Sequence, residues 1–363
     1  MNTATTSQDI PLQLLIQHAQ QTGPGLWLLD ENCQTDRLSS ILPHCQIAIT
    51  NRYHLYHKLN SQHNQIYFND FDFSCCREST ISRIYYRVSK EKALCHYLIN
   101  QAYQILPENG QLHLSGYKDE GIKTYLKKAD KLFGETRQLL NGEKTAKYAT
   151  LQKTRTDNQP LLDDKHYQQL QEIARLHELP VVSKPGVFGW NKADTGSQFL
   201  IGHLPALLTS TQTQIQQVLD LGCGYGFIAL HAYHNNPQLQ SAHFTLTDNN
   251  AAAISCARAN LDTHQIPGEV SGDDCGNQLP GNHYDLILCN PPFHQGFDVT
   301  QDITGQFVKS AHRLLAPNGK VLFVVNQFVG LEKIASRYFR QLDIFARNQS
   351  FKLILAADPA RDR

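Results

Sequence analysis

The sequence has no net charge to offer a polyanion. Across 363 residues, 33 Lys and Arg balance 33 Asp and Glu. This excludes a uniformly basic nucleic-acid binder and leaves room only for a local basic patch. No apolar run is long enough to cross a membrane and no leader-like segment is present, so a reduced, cytoplasmic protein without a membrane partner is expected. Nine cysteines contain no CxxC pair; Cys75 and Cys76 adjoin and the others scatter. Neither a metal site nor a disulfide framework is expected from that spacing. Cys223 and Cys289 read as small packing residues at strand ends.

A full dinucleotide fingerprint is also missing. Residues 218–230 read VLDLGCGYGFIAL, with Gly222, Gly224 and Gly226 spaced GxGxG and Ile228 where the last glycine of GxGxxG would stand. What is present is a strand, a glycine turn that permits positive φ and close backbone approach, and a helix N-terminus. Asp220 lies just before the turn. A carboxylate there would repel a pyrophosphate and suits a ligand carrying an ammonium group. A second strand over 243–247 ends at Asp248, placed to accept from ribose hydroxyls. An N-cap is the alternative, since Asn249 and Asn250 follow before an alanine-rich helix. Asp273 and Asp274 follow a third short strand, and either is a candidate acceptor for an adenine amine. A helix, a Pro-Asn-Gly turn, a strand over 320–325 and a further strand over 351–356 complete the pattern. Strands alternating with helices specify a doubly wound, mostly parallel α/β sheet.

The stretch LILCNPPFHQG, 286–296, ends a buried strand in Asn290, Pro291, Pro292, Phe293 and His294. The prolines terminate the strand and hold Asn290 extended at the carboxyl edge, where open α/β sheets bind ligands. A structural strand-to-loop turn is the plain alternative. An exocyclic amine conjugated to an aromatic base is a poor nucleophile. The carbonyl of Asn290 and the backbone oxygen of Pro291 are suited to orient its N–H bonds, and Phe293 to stack the base. His294 lines the base pocket, donates to a phosphate, or is an inert loop residue.

Together these signals resemble a class I S-adenosylmethionine-dependent methyltransferase over residues 218–363. The resemblance implies that Gly222, Gly224 and Gly226 form the methionine-side loop and that Asp220 lies near the ammonium. It implies Asp248 at the ribose, Asp273 or Asp274 at the adenine, and Asn290 bordering the cofactor. Residues 290–293 resemble the NPP(F/Y) motif of enzymes that methylate planar nitrogens, with Asn290, Pro291 and Phe293 catalytic and Pro292 and His294 lining the substrate.

The first half echoes the second. AYQILPENGQLHLSG near residue 110 matches AHRLLAPNGKVLFVV near 318, so a duplication is expected. The first copy has YRVSKE in place of the NPPF segment and no glycine turn over 25–40. Two tandem Rossmann-like methyltransferase domains are therefore expected: 1–170, degenerate and serving RNA docking or structure, and 171–363, catalytic. The polar, lysine-rich run 127–160 is expected between the two sheets. It reads either as solvated surface or as a strip contacting RNA phosphates through Lys127, Lys128 and Lys131, extended by Arg83, Arg87, Lys90 and Lys92.

Residues 184–205 place Phe188 and Trp190 in a loop, with Asp194 or Thr195 capping an apolar helix from near Ser197. This layout resembles the bacterial small-subunit ribosomal RNA guanine-N2 methyltransferase family that modifies guanosine 1207. The resemblance implies that the GVF…D.GS segment lies near cofactor and substrate, with Phe188 the aromatic candidate for substrate contact. It implies 16S rRNA in an assembled or assembling 30S subunit as the partner, a monomer, and no metal. The chain departs from the family's more charged loop at 189–192, where it has Gly-Trp-Asn-Lys. The large-subunit guanine-N2 enzymes share the architecture. Protein glutamine and DNA adenine-N6 methyltransferases are rivals of the same chemistry, and a cofactor-binding RNA chaperone is the non-enzymatic rival.

Overall fold

The computed structural model describes residues 9–360 except 64, 77–79, 156–158, 212–213 and 293–296, with 297–302 described by backbone alone. The chain separates into two compact units, Met1–Gln169 and Leu170–Arg363.

The first unit contains α1 (Ile10–Thr22), β1 (Gly25–Leu29), α2 (Leu38–Ile41), β2 (Cys45–Thr50), α3 (Tyr53–Asn60), β3 (Ile66–Phe68), β4 (Arg83–Arg87), α4 (Lys92–Ile105), β5 (Gln111–Tyr117), α5 (Ile122–Phe133), β6 (Gly134–Asn141) and β7 (Ala146–Lys153). The second opens with a hairpin, β8 (Gln171–Leu176) and β9 (Leu179–Ser183), then α6 (Thr195–Thr209), β10 (Gln217–Leu221), α7 (Phe227–Asn235), β11 (His243–Asp248), α8 (Ala251–His264), β12 (Gly268–Gly272) and β13 (Tyr284–Cys289). It closes with α9 (Phe297–Leu314), β14 (Leu315–Asn326), α10 (Leu331–Ala335), β15 (Phe339–Arg347) and β16 (Phe351–Pro359).

The two large sheets have one topology. Their strand orders are β3-β2-β1-β4-β5-β7-β6 and β12-β11-β10-β13-β14-β16-β15. Each is parallel across five strands and antiparallel at the last two. The expected doubly wound, tandem α/β architecture is present. Leu26 faces Ile84 across β1 and β4 as Val218 faces Leu286 across β10 and β13. Counting along these registers puts Asp30 where the second sheet has Gly222, Asn51 where it has Asp248, and Val88 where it has Asn290.

The second sheet is covered on both faces, which is why β13 is a continuous apolar run. Leu286 and Leu288 pack with residues of α6, α7 and α8. Ile287 and Cys289 pack with residues of α9 and α10 on the opposite face. The Pro-Asn-Gly segment differs from its expected place ahead of the strand. Leu315 pairs with Tyr284 and Lys320 with Leu286, so residues 316–319 form a bulge inside β14.

Two expectations for the first unit are corrected. The lysine-rich run 127–160 does not lie between the sheets: it supplies the end of α5 and the strands β6 and β7 of the first sheet. The helical spacing of buried Ile122, Tyr125, Ala129, Leu132 and Phe133 docks α5 and turns its lysines outward. Arg87 does not extend a phosphate strip. It is buried and pairs with Asp9 at 3.1 Å and Glu120 at 2.5 Å; two carboxylates already neutralise it.

Candidate active site

The glycine turn follows β10 with all three glycines at positive φ: +80° at Gly222, +56° at Gly224 and +86° at Gly226. L side chains are strained in that region, so glycine is required here. A Cβ on Gly224 would meet nothing within 4 Å, so the turn borders open space. The turn is pinned to β11 by the backbone N–H groups of Gly222 and Cys223, which both donate to the Thr247 carbonyl at 2.9 Å.

Asp248 holds the same turn with its side chain. Its Oδ2 accepts from Gly224 N at 2.9 Å and its Oδ1 from Asn250 N at 2.8 Å. Asn250 caps α8, accepting from Ala252 N, and its Nδ2 donates to the Gly186 carbonyl at 2.8 Å. That last bond ties the 184–190 loop to the end of β11. Phe188 stands on this loop 75% exposed.

Asp220 is fully buried. Its Oδ2 accepts from Ala229 N in α7 at 3.1 Å, while Oδ1 has no partner. Burial first, and the nearby Asp248 charge second, push its carboxyl up to about 7 against the opposing Ala229 bond. Asp273 is buried beside Asp248, its N–H donating to the Asp248 carbonyl at 3.0 Å. Its Oδ2 accepts from Gln278 N, its Oδ1 has no partner, and burial raises its pKa. Asp274 is half-buried beside it.

Asn290 follows β13 at the carboxyl edge of the sheet, half-buried, with Pro291 buried and Pro292 exposed after it. Phe293 and His294 lie outside the described residues. The Asn290 side chain meets α6: its Nδ2 donates to Asp194 Oδ2 at 2.8 Å and to Ser197 Oγ at 2.9 Å. Asp194 is also the N-cap of α6, the same Oδ2 accepting from Ser197 N at 2.8 Å.

Elsewhere, in the first unit, Lys127, Lys128 and Lys131 line one shallow groove on α5 with Lys123 and Thr124. Lys128 Nζ donates to His96 Nε2 at 3.2 Å. The edge of the first sheet that corresponds to the glycine turn is filled by side chains. Asp30 accepts from the Tyr86 hydroxyl at 3.1 Å and from Asn32 N at 3.0 Å, and Asn32 Nδ2 donates to the Val88 carbonyl at 3.0 Å.

Two family models match the chain: residues 13–170 match "Methyltransferase small domain N-terminal" and residues 178–355 match "Methyltransferase small domain". A ribosomal RNA small subunit methyltransferase C of Mannheimia succiniciproducens is 29% identical over 287 residues, covering 78% of this chain and 80% of that protein. The chain belongs to the bacterial two-domain ribosomal RNA methyltransferases. It is a class I S-adenosylmethionine-dependent methyltransferase of tandem-domain build. A ribosomal RNA large subunit methyltransferase G of Photobacterium profundum is 28% identical, covering 73% of this chain and 68% of that protein. Among solved structures, the T. thermophilus 16S rRNA N2 G1207 methyltransferase in complex with AdoMet and guanosine shares the fold. Its TM-score is 0.76 at 21% identity, over 95% of this chain and 92% of that one.

The second sheet of the methyltransferase thus brings Asp220, the glycine turn, Asp248, Asp273 and Asn290 to one edge. The lysines of α5 belong to the other unit. The sequence offered Asp194 or Thr195 as the cap of α6, and the resemblance placed the D.GS segment near cofactor and substrate without giving Ser197 a role of its own. The D.GS spacing before α6 carried the cap signal, but nothing in it shows that both side chains reach Asn290.

Proposed function

We propose that this protein transfers a methyl group from S-adenosylmethionine to the exocyclic N2 of a guanine in 16S rRNA, at the position corresponding to guanosine 1207. The observation that carries this reading is Asn290. Its Nδ2 is committed to Asp194 and Ser197, which turns its carbonyl oxygen away from them as the acceptor available to an amine. The names of the small-subunit relatives support the choice of RNA.

The residues fit the cofactor. Open space over Gly224 admits a ligand against the turn backbone. Asp248, aimed by two backbone bonds, stands at the end of β11 where a carboxylate meets ribose hydroxyls. The unpartnered Oδ1 of Asp273 suits the adenine amine, which favours Asp273 over Asp274. For the ligand's ammonium group, Asp220 has its Oδ1 to offer. When bound, the sulfonium supplies an electrophilic methyl group.

Asn290 and the Pro291 carbonyl accept the N–H bonds of the target amine and hold its nitrogen in line for transfer. Pro292, Phe293 and His294 border the flipped base, Phe293 as its stacking face, and Phe188 supplies a further exposed ring. Residues 1–170 serve as the RNA-docking domain and 171–363 as the catalytic one. Lys127, Lys128 and Lys131 make the phosphate contacts.

Methyl-tritiated cofactor, offered with 16S rRNA, 30S subunits, 50S subunits and a release factor side by side, tests the reading. Label on one small-subunit guanine is expected. Label confined to 23S rRNA or to protein overturns the substrate assignment.

A further inference from the structure

Resting on the reading of Asn290 as the amine acceptor, we propose that Asp194 and Ser197 are positioning residues that set which end of the Asn290 carboxamide faces the substrate. A carboxamide has one accepting and one donating end of nearly equal size. Presented amine-first, Asn290 would oppose its own N–H groups to those of the target amine. The peptide plane does not settle this, because the last torsion of an asparagine side chain is broad. The prolines that follow fix the backbone, not the amide.

The structure resolves the choice from outside the motif. Asp194 Oδ2 and Ser197 Oγ each accept a bond from Asn290 Nδ2, at 2.8 and 2.9 Å. Both are acceptors at that point. Asp194 has no proton to give when ionised, and two N–H bonds of one NH2 group are thereby used. A flipped amide would set its carbonyl against the Asp194 carboxylate. The arrangement is built into the start of α6. The oxygen that caps the helix through Ser197 N is the one that receives Asn290. Ser197 is 7% exposed, shielding the contact. At Gly196 a Cβ would come 3.0 Å from Asp194 Oδ2 and 3.1 Å from the Phe351 ring, so a missing side chain leaves the carboxylate its place.

The two roles of Asp194 separate experimentally. Asp194→Ser keeps an N-capping oxygen but is too short to reach Asn290. Asp194→Asn keeps an oxygen able to accept both bonds. Ser197→Ala removes one acceptor from Asn290 alone. In the full-length protein with 16S rRNA substrate, Asp194→Ser should retain its melting temperature and S-adenosylmethionine affinity. Its single-turnover rate should fall about tenfold, the worth of one charge-assisted bond. Asp194→Asn should recover most of that loss, and Ser197→Ala should lose less. Asn290→Ala combined with Asp194→Ser should be no slower than Asn290→Ala alone, since no amide remains to orient. Rate losses that multiply in the double variant overturn the proposal, as does an Asp194→Ser enzyme at parental rate. An Asn290→Ala enzyme at parental rate overturns instead the acceptor role of Asn290 on which the proposal rests.

Discussion

Replacing Asp248 by asparagine tests whether the end of β11 organises the glycine turn proposed to hold the cofactor. In the native protein each carboxylate oxygen receives one backbone N–H, from Gly224 at 2.9 Å and from Asn250 at 2.8 Å. Asparagine has one oxygen for two donors. Whichever way its amide turns, an NH2 group opposes a backbone N–H. If the oxygen serves Asn250, the turn at Gly224 is released. If it serves Gly224, the cap of α8 and the Asn250–Gly186 tie to the 184–190 loop are disturbed. A hydrogen bond to a charged group contributes about 1.5–3 kcal/mol. One such bond is lost, and the acceptor proposed for ribose hydroxyls is weakened. Taking about 2 kcal/mol as the share that appears in binding, S-adenosylmethionine affinity should fall about 30-fold. Calorimetric titration of the full chain measures this directly, and the stabilisation of thermal unfolding by the cofactor gives an independent reading. Affinity within about twofold of the parent would refute the reasoning and return Asp248 to the role of a helix-start residue.

The remaining tests address the first unit. Neutralising Lys127, Lys128 and Lys131 together should weaken RNA binding and reduce the steepness of its salt dependence by about two to three phosphate contacts; an unchanged slope leaves the α5 groove as solvated surface. Asp30→Asn should stabilise the protein increasingly as pH rises. Burial, then the Glu31 charge, raise the folded pKa of Asp30 from the ordinary aspartate range to about 8. Its contribution is therefore present at low pH and is lost as pH climbs through about 8. The urea midpoint difference between variant and parent should grow from pH 5.5 to 9, and a constant difference counts against the buried carboxyl as its cause.

Much of the second unit was legible in the chain. The turn GCGYG needed three positive φ values, and only glycine supplies them cheaply, so its place at the end of β10 followed from residue type. Asp248 at the end of the next strand, and Asn290 ahead of two prolines, sat at the carboxyl edge because strand ends in a parallel sheet share that edge. The duplication was legible for the same reason: two copies of one alternating pattern build one strand order.

Other features depended on distances the chain does not encode locally. Which aspartate of the 273–274 pair turns inward was fixed by the packing of the loop after β12, which left Asp273 2% exposed. Arg87 looked like a surface cation until Asp9 and Glu120, 78 and 33 residues away, closed on it. The lysine run read as a connector because its charge drew attention away from the apolar face that docks α5. The contact of Asn290 with Asp194 and Ser197 spans 96 and 93 residues. Sequence by itself determined the alternation of strands and helices and the residue types available at the strand ends it marked, since those follow from local sterics and periodicity; strand order came from the structure. Only the tertiary structure decided which side chains meet across elements, and so which end of one amide is free to act.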